Sequence, residues 1–243
     1  MTRFFVSSNE LLNNFITLTG ENAAHAKVLR LQQGERVVVC DGEGEECICT
    51  VSDINASQIS LVVQKRQKSA SEPSVRASVY MAFSKGDKLE HVIQKATELG
   101  ACEIVAFPSA RSISRPDEKS ISKKIDRWQK IAAAAAEQSG RGCVPTVRVL
   151  KSFSEAIKEG ATLDLPILFY ENEQAMTLRM ALEKQAFKTV ALLTGPEGGL
   201  EPAEVSLAAE NGFSVCTLGK RILRCETAPL CALSAVMYAI GEF

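Results

Sequence analysis

The chain has 243 residues, enough for one large domain or two modest ones, and its 46% hydrophobic content is that of an ordinary packed protein. Twenty-eight basic residues against 29 acidic ones leave a net charge of −1, which excludes a global basic field, so any nucleic-acid site has to be a local patch. Eight cysteines without a C-x-x-C pair, and only two histidines, His25 and His91, match no zinc or disulfide framework.

The first part of the chain reads as β-rich. Arg36–Cys40 and Glu46–Val51 flank Asp41-Gly42-Glu43-Gly44, a hairpin turn signal, and Gln58–Val63 is a third strand. Glu21–Arg30 reads as a short helix with Thr19 as N-cap. Short strands around one helix predict a small barrel. Gln64–Ser74 then loses large apolar residues and reads as a linker, part of which could finish the last strand.

Beyond it strands and helices alternate. Strands are predicted at Val75–Phe83, Cys102–Phe107, Val144–Leu150, Leu165–Tyr170, Thr189–Thr194 and Phe213–Leu218. Helices are predicted at Asp87–Leu99, Asp117–Ser139, Phe153–Glu159, Met176–Ala186, Pro202–Asn211 and Thr227–Ile240. This alternation predicts a largely parallel sheet covered by helices. The cysteines read as reduced thiols of a cytoplasmic protein. No signal peptide is read in MTRFFVSSNE, and the longest apolar run, Ile131–Ala136, is too short for a bilayer, so no membrane role is expected.

Two loops stand out. In LLTGPEGGLEPAEV, Gly195, Gly198 and Gly199 follow an apolar strand and precede a helix, where open α/β sheets bind ligands. The segment is neither G-x-G-x-x-G nor a P-loop, and Glu197 argues against phosphate. A tight turn whose Glu complements a helix N-terminus is the plain alternative. The second loop, LGKRILRCETAP (Leu218–Pro229), also links strand to helix. Ile222 and Leu223 could wall an aromatic base, or the segment is a helix start with Thr227 as N-cap and Pro229 in the first turn. Cys225 reads as a buried inert thiol, since no histidine lies near it in sequence. Residues 110–130 hold Arg111, Arg115, Lys119, Lys123, Lys124, Arg127 and Lys130 against three acids, which suits phosphate contacts or a solvated helix face. Glu137-Gln138-Ser139-Gly140-Arg141 either lines a cleft or ends the long helix.

These loops, together with SKGDKLEHVIQKATELG (Ser84–Gly100), the Arg-Ser pair within Ala110–Ile113, RWQKIAAAAAEQSGR (Arg127–Arg141) and the opening RFF (Arg3–Phe5), resemble the bacterial 16S rRNA uridine-1498 N3-methyltransferases of the SPOUT class. The resemblance covers essentially the whole chain. It implies a PUA-like, RNA-binding β-barrel over residues 1–70 and a SPOUT α/β trefoil-knot methyltransferase domain over residues 74–243. It also implies S-adenosyl-L-methionine as cofactor, a homodimer, 16S rRNA or the small ribosomal subunit as partner, and no metal. The cofactor is expected among Tyr170, Thr194, Gly195, Pro196, Glu197, Gly198, Leu218, Gly219, Ile222, Leu223, Arg224 and Thr227. Arg3 or Arg224 is expected to stabilise charge on the base, and Glu226 or Glu137 to handle the N3 proton. Arg3, Arg30, Arg111, Arg115, Lys123, Arg127 and Arg141 are the expected RNA contacts. Cys225, where relatives usually carry Thr, and Pro229, where a small residue is usual, depart from the pattern. An RNA-binding protein that keeps the fold without catalysis is the rival reading; a nucleotide-using oxidoreductase is disfavoured by the missing G-x-G-x-x-G.

Overall fold

The computed structural model describes the whole chain apart from residues 115 and 117 and the side chains of residues 118 and 119. Two compact units result: residues 1–72 with 136–144, and residues 73–135 with 145–243.

The first unit contains β1 (Arg3–Phe5), α1 (Ser8–Leu11), β2 (Phe15–Leu18), α2 (Gly20–Val28), β3 (Arg36–Cys40), β4 (Glu45–Ile54) and β5 (Ile59–Lys68). The sheet order is β1-β3-β4-β5-β2, with β1 parallel to β3 and the other pairs antiparallel. Register shifts at Ile48/Cys49 and Val51/Asp53 bend β4, and bulges of this kind tighten twist and curl a sheet. The strands accordingly curl into a half-barrel. Its inward residues, including Phe4, Ile16, Leu18, Val37, Val39, Cys49 and Leu61, form one core. The hairpin between β3 and β4 falls where its turn residues predict, and Asp41 Oδ1 holds it by accepting from the amides of Glu43 (2.8 Å) and Glu45 (3.1 Å).

Three local expectations change. The polar stretch beginning at Gln64 is not all linker: β5 continues through Lys68, pairing with Glu45–Ile48, and the Arg66 guanidinium caps the carbonyls of Leu11, Leu12 and Asn13. A strand edge can carry long polar side chains because its backbone pairing does not depend on them. Thr19 is the N-cap of α2 in position, but its hydroxyl makes no capping bond. The segment 136–144, read as a helix end, packs with this unit: Glu72 accepts from Arg141 (2.6 Å) and from the amides of Gly142 (2.9 Å) and Cys143 (3.0 Å).

The second unit contains β6 (Arg76–Ala82), α3 (Lys88–Glu98), β7 (Glu103–Phe107), most of α4 (Glu118–Ser139), β8 (Thr146–Val149), α5 (Phe153–Gly160), β9 (Leu165–Phe169), α6 (Leu178–Glu183), β10 (Thr189–Thr194), α7 (Pro202–Glu210), β11 (Ser214–Cys216) and α8 (Thr227–Ala239). All six strands are parallel, in the order β11-β9-β10-β6-β7-β8. Parallel strands buried on both faces read as continuous apolar runs, and β6 and β10 do so. Tyr80, Ala82, Phe107, Leu168, Ala191 and Leu193 form a core with Phe153 and Ile157 of α5 and Ala208 of α7. The alternate residues Val79, Met81, Ile104, Val190 and Leu192 are buried too. The helices α3 and α8 pack on one another, and α8 packs on β6 and β10. After the edge strand β11 the chain must therefore return toward the sheet centre, and residues 217–226 make that return.

Candidate active site

The central strand β10 ends at Thr194, which is buried, and the chain turns at Gly195-Pro196-Glu197-Gly198-Gly199. A side chain at Gly195 would put its Cβ 2.9 Å from Leu200 Cγ, so only glycine lets this turn close. Gly199 has φ +71°, and a Cβ there would collide with the Glu171 carboxylate. Its amide donates to Pro196 O at 3.0 Å, closing the turn. Across from this loop, Thr217 Oγ1 accepts from the Gly219 amide at 3.1 Å and starts the return segment. The two loops and the end of β9 enclose a cleft of about 440 Å³, within the ~300–1,000 Å³ usual for cofactor sites.

Of the residues expected to hold a cofactor, Tyr170, Thr194, Gly195, Pro196, Glu197, Gly198, Leu218, Gly219, Ile222, Leu223 and Arg224 all line this cleft. Thr227 does not; it is the first residue of α8, whose N-cap is Glu226 rather than Thr227. Pro229 lies buried in that first turn, where a missing N–H costs nothing.

The charged residues divide. Arg224 is exposed in the cleft wall. Glu226, two residues further on, is the N-cap of α8 and is not among the residues that line the cleft; its Oε2 lies 3.4 Å from Lys88 Nζ. Burial pushes the Glu226 carboxyl up, but its own backbone amide, the Cys225 thiol and Lys88 outweigh that and hold it below the ordinary carboxylate range. Arg3 and Glu137 belong to the first unit. Arg3 pairs with Glu46 at 2.7 Å, and Glu137 lies 2.9 Å from His25 Nδ1. Burial raises the Glu137 carboxyl, which the neighbouring His25 only partly offsets.

Among the expected RNA contacts, Arg30 and Lys123 are exposed, and Arg127 is exposed while paired with Glu90 at 2.7 Å. Arg111 donates to the Gly198 carbonyl at 3.0 Å, which places this cation on the glycine loop itself. Arg141 is 4% exposed and bound to Glu72. Arg115 and Lys119 fall outside the described residues and side chains. His91 is exposed on α3 and His25 packs edge-on against Phe4, so neither lines the cleft.

Outside the two expected loops and Tyr170 and Thr194, the cleft is also lined by Lys88, Phe169, Glu171 and Thr217, which the sequence does not single out. Lys88, first residue of α3, reaches Glu197 Oε1 at 3.1 Å. A lysine in a first helical turn looks like a solvated face; its presence within Ser84–Gly100 was the available signal. Glu171 comes two residues after the end of β9, and its place next to Tyr170, itself an expected cleft residue, is the signal for it.

The Cys225 thiol is buried, donates to Glu226 Oε2 at 3.2 Å, and is pushed up to about 11 by burial and by that bond. A nucleophile needs the thiolate, so Cys225 is chemically quiet near neutral pH. In native protein at pH 7.5, iodoacetamide should label the exposed Cys231 well before Cys225, as read by peptide mass mapping; equal labelling would contradict this burial.

Comparison with known proteins agrees with this architecture. Residues 71–237 match the model of an RNA methyltransferase domain, and residues 18–64 that of an RNA methyltransferase PUA domain. Ribosomal RNA small subunit methyltransferase E of Bacillus subtilis is 38% identical, over 91% of this chain and 89% of its own. The protein of the same name from Synechocystis is 31% identical, over 96% and 76%. A crystal structure of a ribosomal RNA small subunit methyltransferase E from Neisseria gonorrhoeae bound to S-adenosyl methionine superposes with a TM-score of 0.90 at 29% identity, covering 100% of this chain and 99% of that one. The half-barrel and parallel sheet are thus the PUA-like and SPOUT-type parts that the sequence resemblance implies. With both parts matched and close relatives covering nearly its whole length, the chain belongs to the RNA methyltransferase family.

Proposed function

We propose that the protein transfers a methyl group from S-adenosyl-L-methionine to N3 of a uridine in 16S rRNA of the small ribosomal subunit, the position being 1498. The observation that carries the reading is the cleft at the carboxyl ends of β9, β10 and β11, walled by two glycine-bearing loops. Relatives named for ribosomal RNA methylation, one of them bound to S-adenosyl methionine, support it. A catalytically silent RNA-binding role is not favoured.

The cleft suits this cofactor. The tight turn at Gly195 packs against Leu200 and lines the cleft with backbone, and Ile222 and Leu223 offer apolar walls for a purine. When bound, S-adenosylmethionine supplies an electrophilic methyl on a positively charged sulfur. The residues supply the rest. Uracil N3 bears a proton and sits on the pairing edge, so the base must be unpaired or flipped to react. Glu226, kept ionised, accepts the N3 proton, and the exposed Arg224 guanidinium stabilises the charge that develops on the ring oxygens. Arg30, Arg111, Lys123 and Arg127 contact rRNA phosphates, and the half-barrel contributes RNA shape recognition. The active form is a homodimer in the cytoplasm, needing no metal. No helix among the described residues is long and apolar enough to cross a membrane.

The test is mass spectrometry of 16S rRNA from cells lacking this protein. N3-methyluridine should vanish from its position and return on complementation; its persistence would overturn the assignment.

A further inference from the structure

Three observations converge on Lys88. Its ammonium lies 3.1 Å from Glu197 Oε1, 3.4 Å from Glu226 Oε2 and 3.8 Å from Cys225 Sγ. An ammonium has three N–H donors, and here three acceptors surround it. Glu197 and Cys225 line the cleft from its two loops, Glu197 in the Gly195–Gly199 turn and Cys225 near the end of the return segment, and Glu226 follows Cys225 directly as the N-cap of α8. The same short stretch holds Glu197 a second time, since the Lys85 amide donates to its Oε1 at 2.9 Å. The carboxyl of Glu197 is pushed up by burial, yet these donors hold it below the ordinary range.

We propose that Lys88 is a positioning residue that staples the two loops of the cofactor cleft together, so that the pocket exists before ligand arrives. The turn 84–88 is the only element among the described residues seen to bond both walls at once through one side chain. Glycine-bearing loops have much conformational freedom to lose, and a ligand that orders them gives up affinity to do so. A cation shared between the walls removes that freedom in advance. Its donors are already committed, so Lys88 acts through Glu197 and Glu226 rather than by touching substrate. A solvated helix-start lysine, by contrast, would have neither partner.

The proposal rests on the cofactor reading for its ligand, but its primary readout does not. In the unliganded full chain, amide hydrogen exchange of Lys88→Met should speed up in both 195–199 and 218–225 while strand Thr189–Thr194 stays protected. The Kd for S-adenosylmethionine, by calorimetry, should rise about tenfold, the coupling typical of charges in one bonded network. Lys88→Arg should recover most of the loss. In a Glu197→Gln/Glu226→Gln background, adding Lys88→Met should change the Kd less than about twofold, because the staple is already undone. Unchanged exchange in the two loops, or a fully additive effect in that background, would overturn the proposal. If the unaltered protein fails to bind S-adenosylmethionine while the exchange result holds, the cofactor assignment falls and the staple stands. Loss of protection in Thr189–Thr194 would mean a general folding role and would also overturn it.

Discussion

Replacing Glu226 by Gln should slow methyl transfer by about a hundredfold or more, with rRNA affinity changed by less than about twofold. The carboxylate belongs to the N-cap residue of α8, two positions after the exposed Arg224. Burial alone would push it up; its own backbone amide, Cys225 and Lys88 more than compensate and keep it ionised through the neutral range. Gln keeps the volume and part of the hydrogen bonding, but it cannot take a proton. Although Glu226 is the N-cap of α8, its side chain makes no capping bond, so the helix start does not depend on the carboxylate. The pH–rate profile gives a second check. Protonation removes the base, so activity should fall on the acid side at a pH below that of an ordinary glutamate. Single-turnover methylation of a 16S rRNA fragment and a filter-binding titration settle the matter together. Parallel losses of rate and affinity would reassign Glu226 to holding structure.

Replacing Arg141 by Ala should cost about 3–5 kcal/mol of stability, the usual result of stranding one partner of a buried ion pair. The guanidinium is 4% exposed and sits 2.6 Å from Glu72, whose other oxygen accepts two amides from Gly142 and Cys143. A phosphate contact would have to break that pair first. The pH dependence follows from Glu72. Burial pushes its carboxyl up, but Arg141 and the two amides win, so the folded value lies below the unfolded one. Its stabilisation is then complete above the ordinary value of 4.5 and is lost as pH falls through the depressed folded value. Without Arg141 the folded value rises, so urea melts of the variant should show a shallower loss of stability below pH 5. Unaltered stability with weakened rRNA binding would instead return Arg141 to the RNA surface.

The legible parts of the fold were those where burial dictates the sequence. Thr189–Thr194 is legible in the sequence because its buried interior, Val190–Leu193, is a continuous apolar run, as a parallel strand covered on both faces requires. The short β1, α1 and β2 were not foreseen. Three or four residues give no periodicity, and Phe15 in β2 points outward, 73% exposed. Of the two readings of Gln64–Ser74, the one in which part of it finishes the last strand holds, and composition alone does not decide it because β5 ends in charged residues whose partners lie far away in sequence. For the site, glycines placed at strand ends marked both loops, since close-turned backbone leaves a trace in composition. Lys88 left no such trace. What distinguishes it is two carboxylates 109 and 138 positions further on, a relation that only the folded chain expresses.

One feature of the first unit bears on how the protein is made. Its strands end at Lys68, yet residues 136–144 belong to it, with Glu72 holding the amides of that later stretch and Gly42 bridging to Cys143. During vectorial synthesis the half-barrel emerges first, as N-terminal parts do, but it stays without its last segment until more than sixty further residues have been translated. Throughout that interval Glu72 has no guanidinium to face and the barrel is held by its own core alone. Cutting the chain at the apparent linker would leave the half-barrel in this unfinished state, because its last segment lies on the far side of the cut.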